Sequence, residues 1–468
     1  MHDFIKNAFI VPHPPLIIPR VGRGQEIKIE KTVRAYDTIA KKIAALSPDT
    51  IVVATPHSVM YYDYIHISPG KSAKGDFGEF GEKDISFEAE YDTEFSHKLS
   101  ELAERNDIPA GTLGERKKSL DHGTMVPLHF VNKYYTDYKL VRIGISGLSF
   151  MEHYEFGRCI SETAEMLGRK VVFIASGDLS HMLKDEGPYG YSDEGPEFDK
   201  EVTEAMSSGD FMRFLTFDEE FCEAAAECGL RSFIMMAGVL DGKDVNPELL
   251  SYEGPYGVGY AVASFEVTGE NEERHFGELY NKKEEERLNI LKENEDEYVR
   301  LARKTLESYV LQGDKIERPD VLPAEMLDNR AGVFVSLKMN GQLRGCIGTV
   351  SATTASIADE IIQNAISAGF EDPRFNPVTK KELNKIQYSV DVLKESEPIE
   401  SINSLDVKKY GVIVRKGMKS GLLLPNLDGV DTPGEQVNIA LKKAGINSDE
   451  DYTMERFEVI RHTCVKHL

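Results

Sequence analysis

Three short runs of this chain are apolar at every position and each leads into a histidine. Phe9-Ile10-Val11 precedes Pro12-His13, and Ile51-Val52-Val53-Ala54 precedes Thr55-Pro56-His57. Val171-Val172-Phe173-Ile174-Ala175 precedes Ser176-Gly177-Asp178-Leu179-Ser180-His181. Successive side chains of a strand point to opposite faces, so a strand without polar alternation is buried on both. Such strands need helices above and below the sheet, which makes the N-terminal part α/β. Further strand-like runs lie at Leu140–Ile145 and Tyr260–Val267, and the first begins at Ala8. Helical patterns lie near Ile29–Leu46, Thr93–Arg105, Tyr154–Leu167 and Phe221–Leu240. In open α/β sheets ligands sit beyond the carboxyl ends of the strands, which is where these histidines fall.

At 468 residues the chain exceeds one ordinary core, so two domains are expected. The polar segment Gly269–Arg274, continuing through Lys282–Arg287, marks the seam as a solvated linker or an exposed helix start. Beyond it Tyr298, Leu301, Ala302, Thr305, Leu306, Tyr309 and Val310 recur at helical spacing. The expected division is therefore 1–268, a charged linker 269–287, and 288–468. The formal charge of −24 argues against general nucleic-acid binding, which needs clustered Lys and Arg. Five cysteines, odd in number and without a Cys-x-x-Cys pair, exclude a disulfide framework and a zinc ribbon. No run reaches the ~18 apolar residues of a membrane helix, and prolines 12, 14, 15 and 19 break the apolar start. A cytoplasmic protein is expected.

A lone loop histidine is usually solvated or hydrogen-bonded. Three at strand ends that one sheet brings together suggest metal ligation, because imidazole suits borderline metals and a carboxylate is the common anionic complement. A fourth, His122, lies in the turn-like Leu120-Asp121-His122-Gly123-Thr124. Glu227 is the carboxylate candidate, on the helix expected at Phe221–Leu240. Its plain alternative is an exposed i, i+4 pair with Arg231, and Asp178, Asp121 and Glu253 compete for the ligand role.

These segments resemble the class III (LigB-like) extradiol dioxygenase family, a fold shared with Memo-like proteins, over nearly all of the first domain. Pro12-His13-Pro14-Pro15 and Thr55-Pro56-His57-Ser58 are similar to the two metal-histidine segments, and Asp121-His122-Gly123-Thr124 to the Asp-His-Gly loop. Ser176–His181 is similar to the segment with the acid/base histidine, and Glu227 falls in the order of the carboxylate ligand. The resemblance implies Fe(II), with Zn as the alternative, on His13, His57 and Glu227. It implies a small catechol-like substrate and dioxygen, with His181 and His122 as catalytic residues and Asp178 orienting a neighbour. His181, near an ordinary pKa of ~6.5, would move the phenolic proton. Memo-like proteins carry a cysteine in place of the carboxylate, and Cys228 stands next to Glu227.

The second domain contains Leu343-Arg344-Gly345-Cys346-Ile347-Gly348-Thr349. A strand Val333–Lys338, a turn at Asn340-Gly341 and a returning strand Gln342–Thr349 make a hairpin. Alternation places Arg344 and Cys346 on one face, so Arg344 would activate the thiol; the bland reading is a small buried residue. A helix Ile357–Ala368, the turn Glu371-Asp372-Pro373-Arg374-Phe375 and the strand Gly421–Pro425 follow. This pattern resembles the AMMECR family through the whole domain, which implies an α+β fold and no settled activity. Tyr452 stands where many members carry tryptophan. The fusion is similar to the protein A arrangement of the AmmeMemoRadiSam system, which implies Memo-like and radical SAM protein partners. The chain lacks the Cys-x-x-x-Cys-x-x-Cys motif of the latter. Three functions follow as expectations: an Fe(II)-dependent extradiol-type dioxygenase, a non-catalytic metal-binding scaffold working with those partners, and a zinc hydrolase on the same ligands.

Overall fold

The computed structural model describes residues 4–114, 119–339, 341–427 and 429–463. The hairpin residue Asn340 and Cys464 lie outside the described residues. Two compact units divide between Asn281 and Lys282. That point falls within the segment expected to be a linker, most of which belongs to a helix, Phe276–Glu293.

The first unit is built on six strands: β1 (Ile5–Val11), β2 (Thr50–Thr55), β3 (Lys139–Gly144), β4 (Val171–Ser176), β5 (Lys243–Glu253) and β6 (Tyr260–Glu270). Their order is β3-β2-β4-β1-β6-β5. The four strands β3, β2, β4 and β1 are mutually parallel, and β6 and β5 extend the β1 edge antiparallel. The apolar runs are apolar throughout because the sheet separates two cores. Ala8, Ile10, Val52, Ala54, Phe173 and Ala175 face one, and Phe9, Val11, Ile51, Val53, Val172 and Ile174 face the other. Helices α1 (Glu30–Leu46) and α3 (His122–Val131) contribute to the second core; α2 (Thr93–Arg105) and α4 (Phe150–Leu167) contribute to the first.

Two expectations change here. The helix expected over Phe221–Leu240 is two helices, α5 (Glu219–Ala224) and α6 (Leu230–Val239). Between them Ala226 takes a left-handed φ of 50°, which ends the first helix, and Glu227 lies in the corner rather than on a helix. The Asp-His-Gly segment is a helix start rather than a turn: Asp121 caps α3 by accepting the Thr124 N–H, and His122 is the first helical residue. The acidic stretch after His181 also contains a helix, Glu194–Ser208.

The second unit is α+β. One four-stranded sheet contains Val333–Met339, Gln342–Gly348, Ile386–Leu393 and Val459–Thr463, and the other contains Glu397–Ile399, Gly411–Lys416, Lys419–Leu423 and Thr453–Phe457. Helices Glu297–Gln312 and Ile357–Phe370 cover the first, and Pro433–Ala444 covers the second.

Candidate metal centre

β1, β2 and β4 end side by side, and the residues that follow them converge. His13 is buried, and its Nδ1 lies 3.0 Å from Ser176 Oγ. The Ser176 hydroxyl donates to the Gly123 carbonyl at 2.6 Å. With that proton committed, Ser176 accepts the Nδ1 proton of His13, and His13 Nε2 keeps its lone pair. The His13 backbone N–H donates to Asp178 Oδ1 at 2.8 Å. Burial pushes the Asp178 carboxyl up to about 7, opposed by that N–H. Asp178 therefore holds the backbone of His13.

His57 Nε2 lies 2.9 Å from His13 Nε2. Two nitrogens bonded to one ion at about 2.0–2.1 Å stand this far apart when their bonds meet near a right angle. The His57 N–H donates to Thr55 Oγ1, whose hydroxyl donates to Asp121 Oδ1. Asp121 also pairs with the buried Arg142 at 3.3 Å, so it orients the second histidine segment. Gly123 is required here: a Cβ would sit 2.2 Å from Thr55 Oγ1. Glu253, the remaining carboxylate candidate, accepts the N–H and hydroxyl of Thr32.

The third candidate ligand atom, beside the two imidazoles, is sulfur. Cys228 Sγ lies 3.7 Å from His13 Nε2, and the ligand atoms of His13, His57 and Cys228 all fall within 4.8 Å of one another. Glu227, one residue away, turns its Oε2 onto the Leu230 N–H at 2.6 Å, at the start of α6. Arg231 pairs with Glu219 and lies over the Phe150 ring. The corner packs tightly because Gly177 and Gly229 meet: a Cβ on Gly177 would fall 2.2 Å from Gly229 Cα. Sequence reasoning noted Cys228 beside Glu227 but gave the ligand role to Glu227, because Ala224-Ala225-Ala226 reads as continuous helix and does not announce the corner that brings the sulfur to the histidines.

His122 and His181 complete the cluster. The His122 ring centroid is 4.0 Å from that of His57 and 5.5 Å from that of His13, with Phe80 against its far side at 5.5 Å. His181 packs edge-on to Tyr189 at 5.2 Å. Burial lowers all four imidazoles: His13 far below its usual range, His57 to about 4, and His122 and His181 in the same direction. Mutual repulsion adds to burial at His13, His57 and His181. All four are neutral at pH 7, which suits ligands and proton acceptors. His181 is a weaker base than its ordinary pKa would make it. Burial also raises the Cys228 thiol and the Glu227 carboxyl. Two imidazoles and a thiol fit zinc, copper or iron, and a site with a thiolate is softer than one with a carboxylate.

In the second domain Arg344 and Cys346 do not meet. Register shifts between Leu337–Gly345 and Lys338–Leu343 leave Arg344 as the unpaired residue of a bulge, and the bulge re-aims its side chain. Arg344 pairs with Glu382 at 2.6 Å and the Asn376 carbonyl at 3.0 Å. Cys346 instead receives the Ser336 hydroxyl at 3.2 Å, and burial raises its thiol pKa. Arg344 is thus not the activating cation, and the thiol is held protonated.

A mixed sheet with imidazoles and a thiol gathered at its carboxyl ends defines an α/β protein with a candidate metal site. Residues 7–263 match the family model described as the catalytic LigB subunit of aromatic ring-opening dioxygenase, and residues 299–463 match the AMMECR1 model. The chain belongs to the LigB family and carries an AMMECR1 domain in the same polypeptide. A Clostridium acetobutylicum protein is 47% identical over 98% of this chain and 99% of its own length. A Thermotoga maritima protein is 49% identical over 36% of this chain and 98% of its own. A Pyrococcus horikoshii crystal structure is 33% identical, covering 36% of this chain and 91% of that one with a TM-score of 0.34. Among the described residues, no helix is long and apolar enough to cross a membrane.

Proposed function

We propose that the first domain is a metal-dependent oxidoreductase site acting on a small phenolic substrate. The observation that carries this reading is the convergence of four neutral imidazoles, two of them with Nε2 atoms 2.9 Å apart. His13 and His57 would hold the ion, with Cys228 as the third ligand by position and Glu227 as the neighbouring carboxylate. Iron(II), or another redox-active ion, would supply electron transfer between an aromatic diol and dioxygen. The protein's own part is to bind, orient and move protons. His181, kept neutral by burial, accepts a phenolic proton. His122 donates a hydrogen bond to charge developing on the substrate. Phe80 and Tyr189, packed on His122 and His181, offer aromatic edges to a planar ring.

The test is anaerobic reconstitution with iron(II), addition of a catechol panel, and measurement of oxygen uptake and the yellow ring-opened product. Turnover that survives both His13→Ala and His57→Ala would remove the reading. One observation favours a second function. Cys228 occupies the ligand cluster where ring-cleaving sites use a carboxylate and Memo-like proteins a cysteine. On that reading the domain holds its metal without cleaving rings and works with Memo-like and radical SAM proteins. Stoichiometric metal without oxygen uptake on any catechol is its expected signature.

A further inference from the structure

The second domain contains a cleft of about 860 Å³ that the metal centre does not use. Its two walls differ in chemistry. Leu422, Leu424 and Leu427, in and after the strand Lys419–Leu423, form an apolar side. The lining from the sheet that carries Val333–Met339 is mixed, with Phe334, Leu343 and Tyr388 beside Ser336, Cys346 and the cations Lys338 and Arg461. Arg374 and Lys443 also line it, so four cations face one carboxylate, Asp391. In a chain of formal charge −24 this is a local reversal of sign.

The guanidiniums are held ready rather than loose. Asp391 grips Arg461 at 2.8 and 2.9 Å, and Asp372 grips Arg374 at 2.7 and 2.9 Å. Asp372 also accepts the Cys346 N–H at 2.9 Å, which ties Arg374 to the strand floor. The Arg374 guanidinium has five N–H donors and spends part of them on Asp372 and the Cys346 carbonyl, leaving donors for a bound anion. Lys338 and Lys443 are exposed and make no ion pair among the described residues. A cleft of this volume falls in the range of small-molecule sites, roughly 300–1,000 Å³.

We propose that this cleft binds a small organic anion, one with a carboxylate, sulfonate or phosphate group on an apolar body. The cations hold the anionic group and the leucine wall takes the body. Cys346 lines the site as a neutral thiol and forms no bond to the ligand.

The test uses the full chain and 8-anilinonaphthalene-1-sulfonate, an aromatic sulfonate whose fluorescence rises when its rings are buried. The expected result is saturable binding that weakens at least tenfold in Lys338→Glu/Lys443→Glu, a variant altered only at exposed positions. N-phenyl-1-naphthylamine, the same rings without the sulfonate, is expected to bind at least tenfold more weakly. The dye should also slow acetylation of Lys338 and Lys443 several-fold, read peptide by peptide by mass spectrometry, while Lys31 in the first domain is unaffected. Equal affinity for the uncharged dye, unchanged affinity in the double variant, or unprotected lysines would each overturn the proposal.

Discussion

At the scale of single residues, the identity of the third ligand decides what the metal centre can do, and pH can report it. Burial raises the Cys228 thiol pKa, so at neutral pH the sulfur carries a proton that an incoming ion must displace. His57, lowered to about 4, and His13, lower still than its usual range, carry none to lose between pH 6 and 8. Zinc affinity, measured by chelator competition, is therefore expected to rise about tenfold per pH unit over that window. Cys228→Ala should flatten most of the slope, leaving the part that comes from Asp178, whose carboxyl burial pushes up to about 7 beside His13. A slope that persists in Cys228→Ala and vanishes in Glu227→Gln would assign the ligand to Glu227. Ser176→Ala tests the orienting shell. It removes the acceptor that fixes the His13 tautomer and should lower zinc affinity about 10- to 100-fold with little change in the unfolding midpoint. His13 and His57 were legible in the sequence because each follows an all-apolar run whose end is set by the sheet. Cys228 was legible only as the neighbour of Glu227, because its place beside the histidines depends on a left-handed Ala226 that no residue preference announces.

At the scale of elements, the start of α3 joins the site to the fold. Asp121 caps the helix, accepts the Thr55 hydroxyl beneath His57, and pairs with Arg142, whose side chain is 2% exposed. Arg142 also donates to Ser68 Oγ and the Ser119 carbonyl, so one buried cation ties β3 to the loop that delivers His122. Arg142→Met would leave Asp121 without its counter-charge and these acceptors without a donor. Removing one partner of a buried pair costs about 3–5 kcal/mol. Because the cap hydrogen bonds remain, about 3 kcal/mol is expected, read as a lower urea midpoint with urea sensitivity unchanged. A midpoint within error of the parent would show that Asp121 is satisfied without the arginine. The strands and most helices of this unit were readable from periodicity, since two-sided burial leaves an unmistakable run of Val and Ile. The helix start at His122 was not: Asp and Gly favour turns and N-caps alike, and the Arg142 that pairs with the capping Asp121 lies 20 residues beyond His122. The bulge at Arg344 is the same kind of case. Alternation alone paired it with Cys346, and a single register shift sent it to Glu382.

At the scale of the whole molecule, each unit has cores of its own. The first is organised around the two faces of its mixed sheet, and the second has separate clusters around Tyr298–Val392 and Leu405–Ile446. Every ligand candidate lies before residue 281, and every cation of the anion cleft lies after residue 282. The division between Asn281 and Lys282 falls inside a polar helix, where cutting exposes little apolar surface apart from Leu288 and its neighbours. Residues 1–281 and 282–468 made separately are therefore expected to fold, each with a cooperative urea transition. The first should bind zinc as tightly as the full chain and the second should not bind it at that site. Loss of zinc affinity by more than about tenfold in residues 1–281, with its transition intact, would overturn the expectation that the first unit holds the metal by its own residues.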